Sequence, residues 1–229
     1  MVPARPRPNR RVVALPVARH GEVCHCQTMV FELLLPRRCA GCGAPGETLC
    51  TTCRREWSRV PHQVSPRFGE LTVWSLGPYA GVRRHTLIHS KERGRRDVWP
   101  YLGAVVGAAV TYLVELGELP EHVTLVPAPT RRSSARRRGG DPVENVCRHS
   151  GHPCAPCVHH ARTVRDSVGL DPAERHRNLM GKIVVGEVPS GPLLLVDDIV
   201  TTGSTLDTTA LALGARGGRV VGALTLAHA

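Results

Sequence analysis

Hydrophobic positions follow two different periods along this chain. From Leu193 to Val196 they are continuous, which suits a strand covered on both faces better than one with a wet side. Asp197 and Asp198 come next, then Thr201 to Thr205 around Gly203. A helical spacing follows until Gly217 and Gly218, and then a last apolar run from Val220 to Leu226. Strand, glycine-containing turn, amphipathic helix, glycine stop and strand make a βαβ unit, so a parallel sheet is expected. Upstream, HVTLVPAP is a β-branched run closed at Pro127 and Pro129 and predicts a central strand. LTVWSLGPYAG, Leu71 to Gly81, mixes strand-forming residues with a Gly-Pro turn. VRRHTLIHSKERGRRD then has helix-like spacing that Gly94 ends. Further helices are expected from Val98 to Leu116, from Pro142 to about His149, and in the charged stretch SVGLDPAERHRNLMG. Val98 to Val114 carries no charge and reaches the lower length limit for a membrane span. Its glycines and alanines and its charged flanks predict a buried core helix, so no span is expected.

Composition sharpens the fold class. The 229 residues are 41% hydrophobic but only 3% aromatic, so the core must be built from Val, Leu and Ala, which favours helix-on-sheet layers and an α/β fold. The net charge of +11 and pI near 9.8 invite a polyanionic partner, a nucleic acid or a phosphorylated small molecule. Lys91 and Lys182 are the only lysines, and an arginine bias of that kind fits genome composition as well. Residues 1–28 are rich in Pro and Arg with no helical or strand periodicity; they read as disordered, or as a mis-annotated stretch before a true start at Met29. A basic arm and an Arg-rich transit-like sequence are the alternatives. Nine cysteines, an odd count, with no secretory-signal layout, predict a cytoplasmic, reducing setting.

In that setting clustered cysteines point to metal. CAGCGAPGETLCTTC sets Cys39, Cys42, Cys50 and Cys53 as two CxxC pairs. Two such turns close a tetrahedral zinc site with no position left for water, which makes it structural. The expected division is 1–28, a zinc-binding module over 29–65, and an α/β domain over 66–229. A module this small has little core of its own and should unfold on chelation. Cys147, Cys154 and Cys157 also cluster, among histidines. Cys147 falls in an expected helix and Cys157 in a possible strand, where cysteine acts as a small buried apolar residue; a second metal or a redox CAPC pair is the alternative.

The paired aspartates need a different explanation. They emerge at the C-terminal end of a strand, the edge at which open α/β sheets bind ligands. The TTGST that follows opens a helix with hydroxyls, backbone N–H groups and a glycine permitting close approach, and a helix start of this kind attracts phosphate. Adjacent carboxylates repel a second anion but accept hydrogen bonds from vicinal hydroxyls. A ligand satisfying both halves has a cis-diol at one end and a phosphate at the other, the shape of ribose 5-phosphate. Helix capping by the acids would account for one aspartate, not for both acids and the glycine.

The stretch LLLVDDIVTTGST resembles the binding motif for 5-phosphoribosyl 1-pyrophosphate (PRPP) of type I phosphoribosyltransferases. LPRRCAGCGAPGETLCTTC, HSKERGRRD, VPAPTRRSSARRRGGD and DSVGLDPAERHRNL occur in the order seen in the ComF/GntX family, bacterial proteins that join a zinc finger to a phosphoribosyltransferase domain. The resemblance covers nearly everything after Met29. It implies the type I phosphoribosyltransferase fold, Rossmann-like, with a mainly parallel sheet and helices on both faces, plus a small N-terminal four-cysteine zinc-binding module. It further implies that Asp197 and Asp198 hold the ribose 2′ and 3′ hydroxyls and that Thr201, Thr202, Gly203, Ser204 and Thr205 hold the 5′-phosphate. Arg131, Arg132, Arg137 and Arg138 would face the pyrophosphate, with magnesium bridging it to the ribose. Residues 165–177 would be a hood loop, and Lys91 in HSKERG a charged contact on the acceptor side. The chain departs from the family pattern at Gly140–Asp141, where an aromatic is usual, and at Ser167, where an amide is expected; both weaken the case for catalysis more than that for PRPP binding.

Two other classes of function remain beside transfer to an unidentified acceptor. One is a non-catalytic sensor of PRPP or a nucleotide. The other follows the family's association with DNA uptake and transformation, with single-stranded DNA or a competence helicase as partner. Single-strand binders interleave aromatics with basic residues. The loop from Thr130 to Gly140 has none, and Trp57 is the only aromatic near the cysteines in sequence, which ranks direct DNA binding below transfer or sensing.

Overall fold

The computed structural model describes residues 37–129, 140–161 and 183–229. Strand β6, Pro192–Val200, is the organising element because its apolar run serves two cores at once. Leu194 and Val196 pack with Leu102, Val106, Val110, Leu125 and Leu224 on one face of the sheet. Leu193 and Leu195, pointing the other way, pack with Val126, Leu206, Leu213 and Ala223. This is why the run is continuous rather than alternating.

Among the described residues five strands make the main sheet, in the order β1-β2-β7-β6-β3: β1 is His62–Val64, β2 Val73–Ser75, β3 Thr124–Pro127 and β7 Arg219–His228. The pairs β2–β7, β7–β6 and β6–β3 are parallel, and only β1 runs antiparallel at one edge. The β6–α5–β7 unit, with α5 at Ser204–Gly214, is the expected βαβ crossover. Strand β3 has β6 on one side. On the other it meets the segment around Cys154, Leu125 N donating to Pro153 O at 2.8 Å and Ala155 N to Leu125 O at 2.9 Å, so its central position rests partly on a single bridge to Cys154.

Helices cover both faces. On one lie α2 (Gly81–Lys91), α3 (Trp99–Glu115, entered through a 3-10 turn at Arg96–Val98) and α4 (Pro142–Arg148). On the other lies α5, together with the two-stranded antiparallel sheet of β4 (Val158–His160) and β5 (Ile183–Val185). The molecule is therefore α/β with a mainly parallel sheet and helices on both faces, as the residue pattern predicts. Helix α3 is the one described segment long and apolar enough to cross a membrane, and 56% of that window is buried in the fold. Its glycines let α4 approach: a Cβ at Gly107 would stand 2.1 Å from Ser150 O.

The four-cysteine segment and helix α1 (Thr51–Trp57) have no separate core. Cys39, Ala40, Leu49, Cys53 and Trp57 belong to the same buried cluster as Leu87, Val98 and Leu102. Strand β1, on the module's side of a division at residue 65, pairs into the main sheet.

Candidate functional site

Asp197 and Asp198 do not follow β6 as the sequence suggested; they lie within it, because β6 continues to Val200. Asp197 pairs with Thr225 of β7, and pairing resumes at Ile199 and Val200. The two carboxylates thus sit in the hydrogen-bonded ladder near its C-terminal end. Neither caps α5. Asp197 Oδ1 accepts from the Asp198 backbone N–H at 2.8 Å, and Asp198 Oδ2 accepts from Lys91 Nζ at 2.5 Å. Burial, reinforced by the negative charge of Asp198, raises the Asp197 carboxyl well above the usual carboxylate range, against the opposing pull of the Asp198 N–H and the Lys91 charge. A carboxyl pair held against desolvation in this way marks a candidate ligand site.

Lys91, expected on the acceptor side, lies against the acids. It sits at the last position of α2, and with side chains 40% and 15% exposed the Lys91–Asp198 pair is half in solvent, half in the protein.

Helix α5 is preceded by Gly203, which has φ +81° and no side chain to cap with; Thr202 Oγ1 accepts from Ser204 N at 3.5 Å, so one hydroxyl of the motif already faces the helix start. Thr201 is exposed, Thr202 and Thr205 are half-buried, and Ser204 is buried. The glycine has a structural explanation that the sequence did not reveal. A Cβ there would meet Pro66 Cβ at 2.5 Å and Phe68 O at 2.8 Å, and Phe68 N donates to Thr202 O at 2.9 Å. Close approach at Gly203 is therefore to the chain's own β1–β2 connection. Pro66 and Phe68 shape the TTGST loop from more than a hundred residues away, and no local signal marks them.

Arg131, Arg132, Arg137 and Arg138 lie outside the described residues, as do the stretch 165–177 and Ser167. Asp141 is described and has a local role: its Oδ1 accepts from Val143 N at 2.9 Å and Glu144 N at 3.3 Å, capping α4.

The second centre is the cysteine knuckle. The Sγ atoms of Cys39, Cys42, Cys50 and Cys53 all lie within 4.8 Å of one another, with Cys42 and Cys50 at 3.6 Å. A tetrahedron with Zn–S bonds of about 2.3 Å needs sulphurs about 3.8 Å apart. The donor set and spacing fit zinc, and the four cysteines form a zinc-binding site. Burial works against ionisation of Cys39, yet the N–H groups of Cys50, Cys42 and Gly41 directed at it outweigh burial and bring the thiol down to about 6. Burial and the neighbouring sulphurs push Cys53 up; a cation at the centre replaces that proton. Gly41 is tight: a Cβ there would meet Cys53 Sγ at 2.6 Å and Val82 Cγ1 at 3.0 Å.

Residues 30–80 match the double zinc ribbon domain family. The chain is similar there to zinc-binding proteins. The stretch holds one set of four cysteines, so it supplies ligands for one zinc. Among curated proteins there is no match to the sequence. Among solved structures the chain is similar to adenine phosphoribosyltransferase from Rhodothermus marinus, at 17% identity over 78% of this chain and 88% of that one, with a TM-score of 0.37. Agreement that loose assigns neither a substrate nor a reaction to this chain.

Cys147, Cys154 and Cys157 do not join such a centre; among the described residues the knuckle is the one cluster with metal-site spacing. Cys147 is buried in α4 against the core, and Cys157 is buried just before β4. Trp57, singled out as an aromatic beside the cysteines, is fully buried and donates through Nε1 to Thr86 Oγ1 at 3.4 Å, so it offers no face for a base. Tyr101, distant in sequence, comes beside α1 and donates to Arg54 O at 3.4 Å.

Proposed function

We propose that this chain is a phosphoribosyltransferase-like protein of the ComF/GntX family that binds PRPP with magnesium and transfers its phosphoribosyl group to an acceptor amine. The observation that carries the reading is the pair of adjacent carboxylates held, at a cost, on the strand that leads through a glycine turn into the start of α5. The acids would accept hydrogen bonds from the ribose 2′ and 3′ hydroxyls, which suit carboxylates as donors and bring no charge to a crowded site. The N–H groups and hydroxyls from Thr201 to Thr205 would take the 5′-phosphate. Arg131, Arg132, Arg137 and Arg138 are the candidates for the pyrophosphate.

In the transfer, the bond from the anomeric carbon to the pyrophosphate oxygen breaks, the acceptor nitrogen bonds to that carbon, and the amine's surplus proton passes to solvent. The sugar is cationic in the transition state, so no protein nucleophile is required; position and charge do the catalysis. Magnesium, bound with the pyrophosphate, would neutralise the departing charge. The Lys91 ammonium on Asp198 favours a divalent ion on the ligand over one seated directly on the acids. A cytoplasmic setting goes with this reading.

Calorimetry of PRPP with magnesium tests it, comparing wild type with the double variant Asp197→Asn, Asp198→Asn. Saturable binding in the wild type that the variant loses supports the ribose site and opens a screen of acceptor amines for pyrophosphate release. A folded, zinc-loaded wild type that does not bind PRPP removes the reading.

A further inference from the structure

Helix α2 joins the two centres. Its N-terminal half is bonded to the cysteine knuckle and the helix that follows it: Val82 Cγ1 stands where Gly41 leaves room, Arg83 donates to Glu56 O, His85 Nδ1–H donates to Gly41 O at 3.0 Å, and Thr86 Oγ1 receives the Trp57 indole. Its C-terminal end delivers Lys91 to Asp198. Just beyond, the chain returns to the knuckle. Arg95 donates to Arg38 O at 2.8 Å, and Asp97, held by Arg95, accepts from Thr48 Oγ1 at 3.0 Å. Lys91 is therefore bracketed by knuckle contacts on both sides, at residues 82–86 and 95–97. Between them Ser90 is pinned by Trp99 Nε1 at 3.0 Å.

A helix of this length is stiff, so the place of Lys91 follows from where the knuckle holds α2. Among the described residues its ammonium is a positive charge that the structure sets against two adjacent carboxylates. We propose that Lys91 positions the acids for the diol, and that the cysteine knuckle, acting through α2, sets where the Lys91 ammonium sits. The proposal deepens the ribose-phosphate reading and rests on it for the role of the acids. It gives the zinc a task beyond holding residues 37–57 together. With the ammonium on Oδ2, the Asp198 carboxylate is held in one rotamer, and its second oxygen is left to accept a hydroxyl.

The chain has only two lysines, Lys91 and Lys182, so lysine-selective 15N NMR of the full zinc-loaded chain reads the ion pair directly, with Lys91→Ala assigning the signal. A paired ammonium exchanges its protons slowly enough to be seen. His85→Ala and Thr86→Val each cut a knuckle-to-helix bond with all four cysteines intact, and zinc counting confirms that the metal is retained. The expected result is that either variant weakens or shifts the Lys91 signal and lowers affinity for ribose 5-phosphate. Lys91→Ala lowers that affinity about tenfold, the order expected for losing one charge-assisted hydrogen bond. Lys91→Arg restores most of it, and adding His85→Ala to Lys91→Ala costs nothing further. An unchanged Lys91 signal in both link variants, or additive losses in the double variant, overturns the proposal. If wild type binds neither ribose 5-phosphate nor PRPP, the ribose reading fails and takes the role toward the diol with it, while the ammonium signal still decides whether the knuckle controls Lys91.

Discussion

Replacing Asp197 by Asn should remove a stability loss that grows with pH and weaken ligand binding at once. The native carboxyl holds its proton to a higher pH than the unfolded one, because burial and Asp198 oppose its charge more than Lys91 and the Asp198 N–H favour it. Between the unfolded value near 4 and the raised native value, the folded chain binds the extra proton. The contribution of this group to stability is therefore full at low pH and is lost as pH rises through that window, by up to about 1.4 kcal/mol per pH unit. Asparagine has the same shape and no such slope. Urea unfolding of both proteins at several pH values from 4 to 8 should show the variant gaining on wild type as pH rises. Losing one hydrogen bond to the ribose, worth about 0.5–1.5 kcal/mol, should weaken ribose 5-phosphate binding roughly two- to tenfold. Parallel stability curves would refute the claim that the acid is held against the interest of the fold.

Three other outcomes follow from the geometry. Zinc analysis should give one ion per chain, and chelation should collapse more than the knuckle. Trp57 and Cys53 share a core with Val98 and Leu102, and a structural zinc is worth about 10 kcal/mol or more, comparable to a whole domain's stability; loss of far-UV helix signal checks it. Gly203→Ala should cost well over the ~1 kcal/mol that a positive φ alone imposes, because its Cβ would meet Pro66 and Phe68. Gly217→Ala, at φ +82° with nothing within 4 Å, should cost only that baseline, and paired thermal melts separate the two. Leu195→Ala, in a fully buried position, should lose about 2–5 kcal/mol, whereas Leu211→Ala on the exposed side of α5 should stay within about 0.5 kcal/mol.

What could be read from the chain was whatever a short window contains. The run at Leu193–Val196 announced a strand covered on both faces, because side chains alternate across a strand and both sides had to be apolar. The CxxC pairs announced the knuckle, because one turn presents two thiolates, and the sulphurs converge within 4.8 Å. Gly94 and the Gly217–Gly218 stop marked helix ends through backbone preference alone. Packing decided the rest. The sequence placed the aspartates past the end of β6, yet pairing with β7 carries the strand through them to Val200. The glycine of TTGST looked like room for a ligand, and it is room for Pro66 and Phe68. Lys91 sits 107 residues from Asp198, and its helix is bonded to Gly41, Glu56 and Trp57, far from either acid in sequence. A local motif declares itself because backbone period and turn geometry act over a few residues; which motifs come to face one another depends on how distant apolar faces close on a shared core, and only the folded chain contains that.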